Sequence, residues 1–202
     1  MKCRHAKDSE LDGVCSLLAE EFYNDAIHKL IFSDHAVRMD GLRNLFRIYV
    51  NLATRHGGIL LDENGAGALV YFCPEAMKMS DEDIASVDHQ LRQVCGSNYP
   101  AAAVYTNGLD QHHPRTPPHY YISLLAVQRV HRGGTVVGDL LNALNSMLDK
   151  DNLPCYAECT RFSTRTLLRR WGYRDAGSPL HIDGFPKLFP IWREPRGITG
   201  VN

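Results

Sequence analysis

Apolar positions along this 202-residue chain recur in two ways: every three to four residues in some stretches, and continuously or alternately in others. The first kind predicts helices. Leu11, Val14, Cys15, Leu17, Leu18 and Phe22 share one helical face, with Asp8 or Ser9 placed to cap it. Leu42, Leu45, Phe46, Ile48, Tyr49 and Leu52 form the inward stripe of a longer helix over 36–56, stopped by Gly57-Gly58. Further helices are expected at 81–94 and 163–171, the latter closed by Gly172. The second kind predicts strands: a short one at 2–6, a pair at 59–61 and 66–72 joined by Glu63-Asn64-Gly65, and a final pair at 173–182 and 188–192 turned at Asp183-Gly184. The stretch 98–118 mixes small apolar residues with QHHPRTPP and reads as part helix, then loop.

The organising segment is HYYISLLAVQRVHRGGTVVGDLLNALNSML, from His119 to Leu148. Tyr120–Val127 reads as a buried strand. Helical spacing resumes at Val136, Val137, Leu140, Leu141, Leu144, Met147 and Leu148. Between them stands Arg132-Gly133-Gly134. A helix starting there presents unpartnered N–H groups and the positive end of its dipole, which together suit an anion such as phosphate. The glycines match neither the dinucleotide fingerprint nor a P-loop. A second apolar strand, Cys155–Cys159, follows, so that 120–159 forms a right-handed parallel strand–helix–strand crossover. The order of elements predicts one α/β (α+β) domain over 1–202, with a mixed, mostly antiparallel central sheet flanked by helices.

Composition narrows the function classes. The chain is 44% hydrophobic and 22% charged with a formal net charge of −1, which gives no electrostatic reason to expect nucleic acid or an anionic membrane as partner. No apolar run is long enough to span a bilayer. The charged opening MKCRHAKDSE contains no secretory h-region. The six cysteines, none in a CxxC pair, are therefore expected to be reduced thiols of a cytoplasmic protein. His112, His113 and His119 match no zinc spacing, so no metal is expected.

The order of elements, with the stretch LLAVQRVHRGGTVVGDLLNAL, resembles the GNAT acyl-CoA N-acyltransferases. The segments HPRTPPHYYISLLAV and LPCYAEC resemble most the branch that includes puromycin acetyltransferase. The resemblance implies a GNAT-like domain with an acceptor-side half at about 1–115 and a CoA-binding half at about 116–195. It implies acetyl-CoA as co-substrate, a small-molecule or peptide amine as acceptor, and a possible homodimer. Leu125, Ala126 and Val127 would lie along the pantetheine arm. Arg132, Gly133, Gly134, Thr135, Val136, Val137 and Gly138 would surround the pyrophosphate, and Thr164 and Leu168 would stand near the thiol. Two departures from the family's pattern are visible. Thr135 and Val137 carry side chains where the phosphate turn has small residues. Leu168 occupies the place of a tyrosine that can protonate the leaving thiolate.

Acyl transfer to an amine needs positioning, a donor for the developing oxyanion and a route for a proton. The amides of Ala126 or Val127 are candidates for the donor. Glu158, alone in an apolar strand, is either the base or a structural carboxylate bonded to Arg161 or Arg165. Tyr121, expected on one face with Ser123, Leu125 and Val127, is either a substrate or proton-transfer group or a packed aromatic. Tyr156 shares the face of Glu158. Cys159 reads as a buried thiol. Phe22, Tyr23, Ile31 and Phe32 are candidates for the acceptor pocket. Three functions fit these residues: an N-acetyltransferase, a CoA-binding module with weak or no transfer, and a scaffold.

Overall fold

The computed structural model describes residues 2–78 and 80–197. In chain order it contains β1 (Cys3–His5), α1 (Leu11–Phe22), α2 (Ala26–Ile31), α3 (His35–His56), β2 (Gly57–Asp62), β3 (Gly67–Phe72), α4 (Asp81–Cys95), α5 (Tyr99–His112), β4 (Tyr120–Val127), α6 (Val136–Asp151), β5 (Cys155–Cys159), α7 (Phe162–Leu168), β6 (Arg174–Asp175) and β7 (Phe189–Arg193). The strands form one seven-stranded sheet in the order β1-β2-β3-β4-β5-β7-β6. Every neighbouring pair is antiparallel except β4 and β5, which run parallel. Helix α6 makes the crossover between those two.

The two faces of the sheet pack different layers. Ala68, Val70 and Phe72 of β3 join the core formed by α1–α5, around Leu18, Ile27, Leu42 and Phe46. Leu69 and Tyr71 point the other way, into the core beneath α6, with Leu140, Leu141, Leu144 and Leu148. A strand covered on both faces has no reason to alternate in polarity, which explains the unbroken apolar run GALVYF. The β2–β3 turn is fixed by Asp62, whose carboxylate accepts from the amides of Asn64 and Ala66. Gly65 there sits at φ +70, where a side chain would be strained.

Three details depart from the sequence reading. The segment after Phe22 holds an unexpected helix, α2, begun by the Asp25 side chain accepting from the amide of Ile27. Its six residues are too few for periodicity to register. The expected strand 173–182 is reduced to β6 and one bridge between Leu180 and Leu188, because Gly177 (φ +123) turns the chain out of the ladder and Pro179 offers no N–H. The helix expected over 163–171 ends at Leu168 and tightens to a 3-10 turn over Arg169–Trp171, capped by left-handed Gly172.

Asp25, at the start of α2, fastens the N-terminal helices to the C-terminal half. Its buried carboxylate accepts from Ile27 N, His28 Nδ1 at 3.0 Å and Thr160 Oγ1 at 3.1 Å, and Arg161 lies 3.8 Å away. Burial pushes this carboxyl up, but the His28, Ile27 and Thr160 contacts outweigh it and hold it below the ordinary value of 3.8. Removing one member of such a buried network strands the others, so Asp25→Ala is expected to cost about 3 kcal/mol at pH 7 by denaturant unfolding. A group depressed in the folded state contributes fully above its unfolded value. That contribution is lost as pH falls through the folded value. The gap in stability between wild type and variant should therefore narrow below pH 3.8; a gap constant from pH 7 to pH 3 would show that the carboxylate charge is not what matters.

Candidate active site

The parallel pairing of β4 with β5 lasts three residues: Tyr120 with Cys155, Tyr121 with Tyr156, and Ile122 with Ala157. Beyond that point the strands part. Ser123–Val127 keep β3 on one edge and have no strand on the other, while Glu158 and Cys159 pair only with β7. The parting coincides with a register shift between β3 and β4 that leaves Ser123 as an extra residue. The shift also overturns the face expected for Tyr121. Tyr121 and Leu124 pack on the α1–α5 side, and Leu125 and Val127 on the α6 side, because the bulge reverses the alternation.

The gap opens into a cavity of about 720 Å³ that runs from the glycine turn, along Ser123–Val127, to the space between α3, α4 and α5. Of the sequence candidates, Tyr121, Leu125, Ala126, Val127, Arg132, Gly133, Val137, Glu158, Thr164 and Leu168 line it. Gly134, Thr135, Val136 and Gly138 do not. Val136 instead packs on β3, where a Cβ at Gly67 would lie 2.6 Å from its Cγ1, and a Cβ at Gly138 would press Trp171 at 3.0 Å. The glycine at 138 thus serves close packing of α6. Gly133 sits at φ +83, a conformation that asks for glycine. Thr135 at the α6 N-cap makes no side-chain capping bond, so the first-turn N–H groups of this 16-residue helix receive no acceptor from it.

A carboxylate from another element stands at this turn. Glu21, at the end of α1, accepts from the amide of Arg129 at 2.9 Å and forms an ion pair with the Arg132 guanidinium. Arg132 also donates to Val127 O at 3.3 Å. An incoming phosphate would meet an arginine already paired.

At the closed end of the parting strands, Glu158 is enclosed by aromatic rings. Its side chain is 3% exposed, and its Oε1 has no hydrogen-bond partner among the described residues. Neither Arg161 nor Arg165 reaches it: they pair with Asp25 and Asp175. The nearest basic atom is His113 Nδ1, at 3.8 Å. The His113 ring stands edge-on to Tyr121 (4.8 Å between centroids) and Tyr156 (5.1 Å). Its Nε2 meets His119 Nε2 at 3.1 Å, and His119 Nδ1 meets Pro117 O at 2.7 Å. A carbonyl only accepts, so His119 carries its proton on Nδ1 and receives one from His113 Nε2. The neutral form of His113 therefore turns Nδ1, without a proton, toward Glu158. Burial pushes His119 down and keeps it neutral. Burial, and after it the charge of Glu158, push Tyr121 and Tyr156 above the ordinary phenol range, so both are neutral hydroxyls.

Asp25 and His28 line the same cavity further toward α1, with the His28 ring between Phe22 and Phe46. Phe22 and Ile31 line it as well. Tyr23 and Phe32 do not: Tyr23 lies under the Arg38 guanidinium, and Phe32 fills the space over Gly41. Leu168, 2% exposed, belongs to the core beneath α6. Cys159 is buried, and its thiol is pushed up to about 12, first by burial and then by Glu158, so it is not a thiolate nucleophile at neutral pH. All six cysteines are free. Among the described residues no group of His, Cys, Asp or Glu is arranged to hold a metal ion, and no helix is long and apolar enough to cross a membrane.

Similarity to solved structures runs along nearly the whole chain. A protein described as histone acetyltransferase HPA2 and related acetyltransferase, from Corynebacterium glutamicum, superposes with a TM-score of 0.68 at 20% identity, covering 98% of each chain. An N-acetyltransferase from Staphylococcus aureus Mu50 gives 0.58 at 14% identity, over 95% of this chain and all of that one. Arylalkylamine N-acetyltransferase 2 from Aedes aegypti gives 0.58 at 12%, over 96% and 98%. No protein-family model matches the sequence, and no curated protein does. The chain has the fold of the GNAT acetyltransferases, a mixed, mostly antiparallel sheet flanked by helices.

Sequence reasoning missed five contributors. His113 and His119 lie at the end of α5 and just before β4, in a stretch read as loop. The six-residue spacing says nothing until the two elements meet. Asp25 and His28 carry a weak local signal, an N-cap aspartate with a histidine three residues on. Glu21 has none, since its partner is 111 residues away.

The Glu21–Arg132 pair generates opposite expectations for two variants. Arg132→Ala should weaken acetyl-CoA binding by about 1.5–3 kcal/mol through a lost charge-assisted contact. Glu21→Gln should strengthen it by about 1 kcal/mol, because it frees the guanidinium and removes a like charge from the anion site. Calorimetric titration of both measures the two signs; equal signs would show that Glu21 supports the anion site rather than competing for it.

Proposed function

We propose that this chain transfers an acetyl or other short acyl group from CoA to a primary amine. The observation that carries this reading is the parting of β4 and β5: a free strand edge over Ser123–Val127 leads from a glycine turn at a helix N-terminus to a buried carboxylate. The free edge offers main-chain N–H and C=O groups to an extended pantetheine arm, as a further strand would. Arg132, the turn around Gly133 and the start of α6 offer positive charge to a diphosphate. Leu125, Ala126, Val127, Val137, Thr164 and Leu168 wall the channel between, with the Ala126 or Val127 amide as donor to the oxyanion. Six free cysteines fit a reducing, cytoplasmic setting.

Glu158 takes a proton from the substrate ammonium, and His113 Nδ1 is placed to relieve Glu158 of it. The neutral amine attacks the thioester carbonyl, the C–N bond forms, the C–S bond breaks as thiolate leaves, and the second proton lost by the nitrogen passes through solvent to the thiolate. Tyr121 and Tyr156, held as neutral hydroxyls, surround Glu158 as potential donors. Leu168 offers no proton. That favours a second reading, a CoA-binding module with little or no transfer.

Release of CoA from acetyl-CoA, measured against a panel of amines, separates the readings. Turnover with a suitable amine supports transfer; binding of acetyl-CoA with no turnover for any amine supports the module. Glu158→Gln is expected to lower kcat by about 10²–10⁴-fold while leaving acetyl-CoA affinity intact. Leu168→Tyr, at a position that borders the channel but is buried in the core, is expected to raise kcat with little change in KM while lowering the melting temperature through overpacking. An unaltered kcat in the second variant would show that thiolate departure is not limiting.

A further inference from the structure

The acceptor end of the cavity is charged in only one place that is still open to a ligand. Four carboxylates line the cavity: Glu21, Asp25, Asp110 and Glu158. Three have an arginine partner among the described residues: Glu21 has Arg132, Asp25 has Arg161 at 3.8 Å besides its hydrogen bond with His28, and Asp110 has Arg115 at 2.9 Å. Glu158 has no arginine or lysine partner among the described residues; His113 stands 3.8 Å away, and the buried Oε1 makes no hydrogen bond. A buried carboxylate oxygen that makes no hydrogen bond is costly, and an ammonium bound beside the carboxylate offsets that cost.

Beyond Glu158 the wall is apolar. Phe46, Tyr49, Leu91, Tyr105 and Leu109 face the cavity from α3, α4 and α5. The Thr106 hydroxyl is occupied by Ala102 O at 2.9 Å. Asp110, the one charged residue these three helices give the cavity, is already paired. A second ammonium, as in a diamine or polyamine, would lie against hydrocarbon with no counter-charge. The carboxylate of a free amino acid would lie there with no cation.

We propose that the acceptor is a small monoamine with one ammonium group and an apolar, ring-sized body, the ammonium held at Glu158 and the body seated between α3, α4 and α5. This rests on the transferase reading for its chemistry but not for its binding. An ammonium at Glu158 stands where it can lose a proton to that carboxylate. The body meets the Tyr49 and Tyr105 rings, which suit aromatic or branched apolar groups. One counter-charge with an apolar wall sets specificity by rejecting added charge, which a greasy pocket does far more sharply than it distinguishes one methylene from another.

Titration of the full chain with 2-phenylethylamine, tryptamine, putrescine and spermidine, with and without saturating CoA, tests this. The two monoamines should bind at least about tenfold more tightly than the two polyamines. Glu158→Gln should erase that binding by about tenfold or more while its acetyl-CoA affinity and melting temperature stay near wild type. Leu109→Glu, which puts a carboxylate on the half-buried apolar wall, should raise putrescine affinity and lower that of 2-phenylethylamine. Preference for polyamines, equal binding of all four amines, or indifference to both substitutions would overturn the proposal. Monoamine binding in a chain that fails to bind acetyl-CoA would sink the transferase reading and leave the acceptor class standing. Acetyl-CoA turnover on spermidine alone would do the reverse.

Discussion

Everything in the site follows from where the β4–β5 pairing stops. A parallel pair inside a sheet normally continues until one strand ends, because each unpaired amide in the interior costs a hydrogen bond. Here β4 runs on for five residues after its last partner on β5, so an edge is created in the middle of the sheet. The extra residue at Ser123 sits where the parting begins, and a bulge increases local twist. The exposed edge, the channel beside it and the position of Glu158 at the fork are three consequences of that one interruption. Because the bulge also swaps the faces of β4, Tyr121 can join the acceptor-side core while Leu125 and Val127 join the other. An uninterrupted strand could not have served both sides in that register.

Charge in this cleft is organised by pairing rather than by excess, as a net charge of −1 suggests. Arginines at 115, 132 and 161 each reach a carboxylate within or beside the cavity. Two of these pairs bridge distant parts of the chain: Arg132 ties the glycine turn to the end of α1, and Arg161 approaches Asp25 at the start of α2. The same contacts that close the cavity around the fork therefore neutralise its wall. The carboxylate left over, Glu158, gains its meaning from that neutralisation, since in a cleft rich in free cations it would be one more member of a network.

The fold was legible to the extent that burial imposes a period. α1, α3 and α4 each press one stripe on a core and announced themselves, as did the doubly covered β3. Even the parallel crossover was readable, from the apolar runs of β4 and β5 and the stripe of α6 between them. What escaped were features with no period: the six-residue α2, the bulge at Ser123 and the broken strand at Gly177–Pro179. The site divided along the same line. Glu158 stood out because a carboxylate in an apolar strand violates the local pattern, and the glycine turn because its composition is special. His113, His119 and Glu21 obey their local patterns, and only the tertiary fold gives them partners. The likeness of His113–Tyr173 to one branch of the acyltransferases rests on sequence alone, since the solved structures share the fold at 20% identity or less.

Under the proposed acyl transfer, the side chains are unevenly divided between the two halves of the reaction. On the amine side stand a buried carboxylate, a histidine whose open nitrogen faces it, and a second histidine that fixes the tautomer of the first. On the thiol side stands Leu168. The two tyrosines do not restore the balance: burial and Glu158 make their hydroxyls poorer acids than an ordinary phenol, so they give up a proton less readily than the missing family residue would. The asymmetry is physically reasonable. An alkylammonium, with a pKa near that of lysine at about 10.4, is almost wholly protonated at pH 7 and cannot attack until it is relieved of a proton. A thiol with a pKa of about 8.5 leaves as the anion at a far smaller penalty. A site with limited means gains most by acting on the amine, and the proposed reading puts the buried titratable groups on that side.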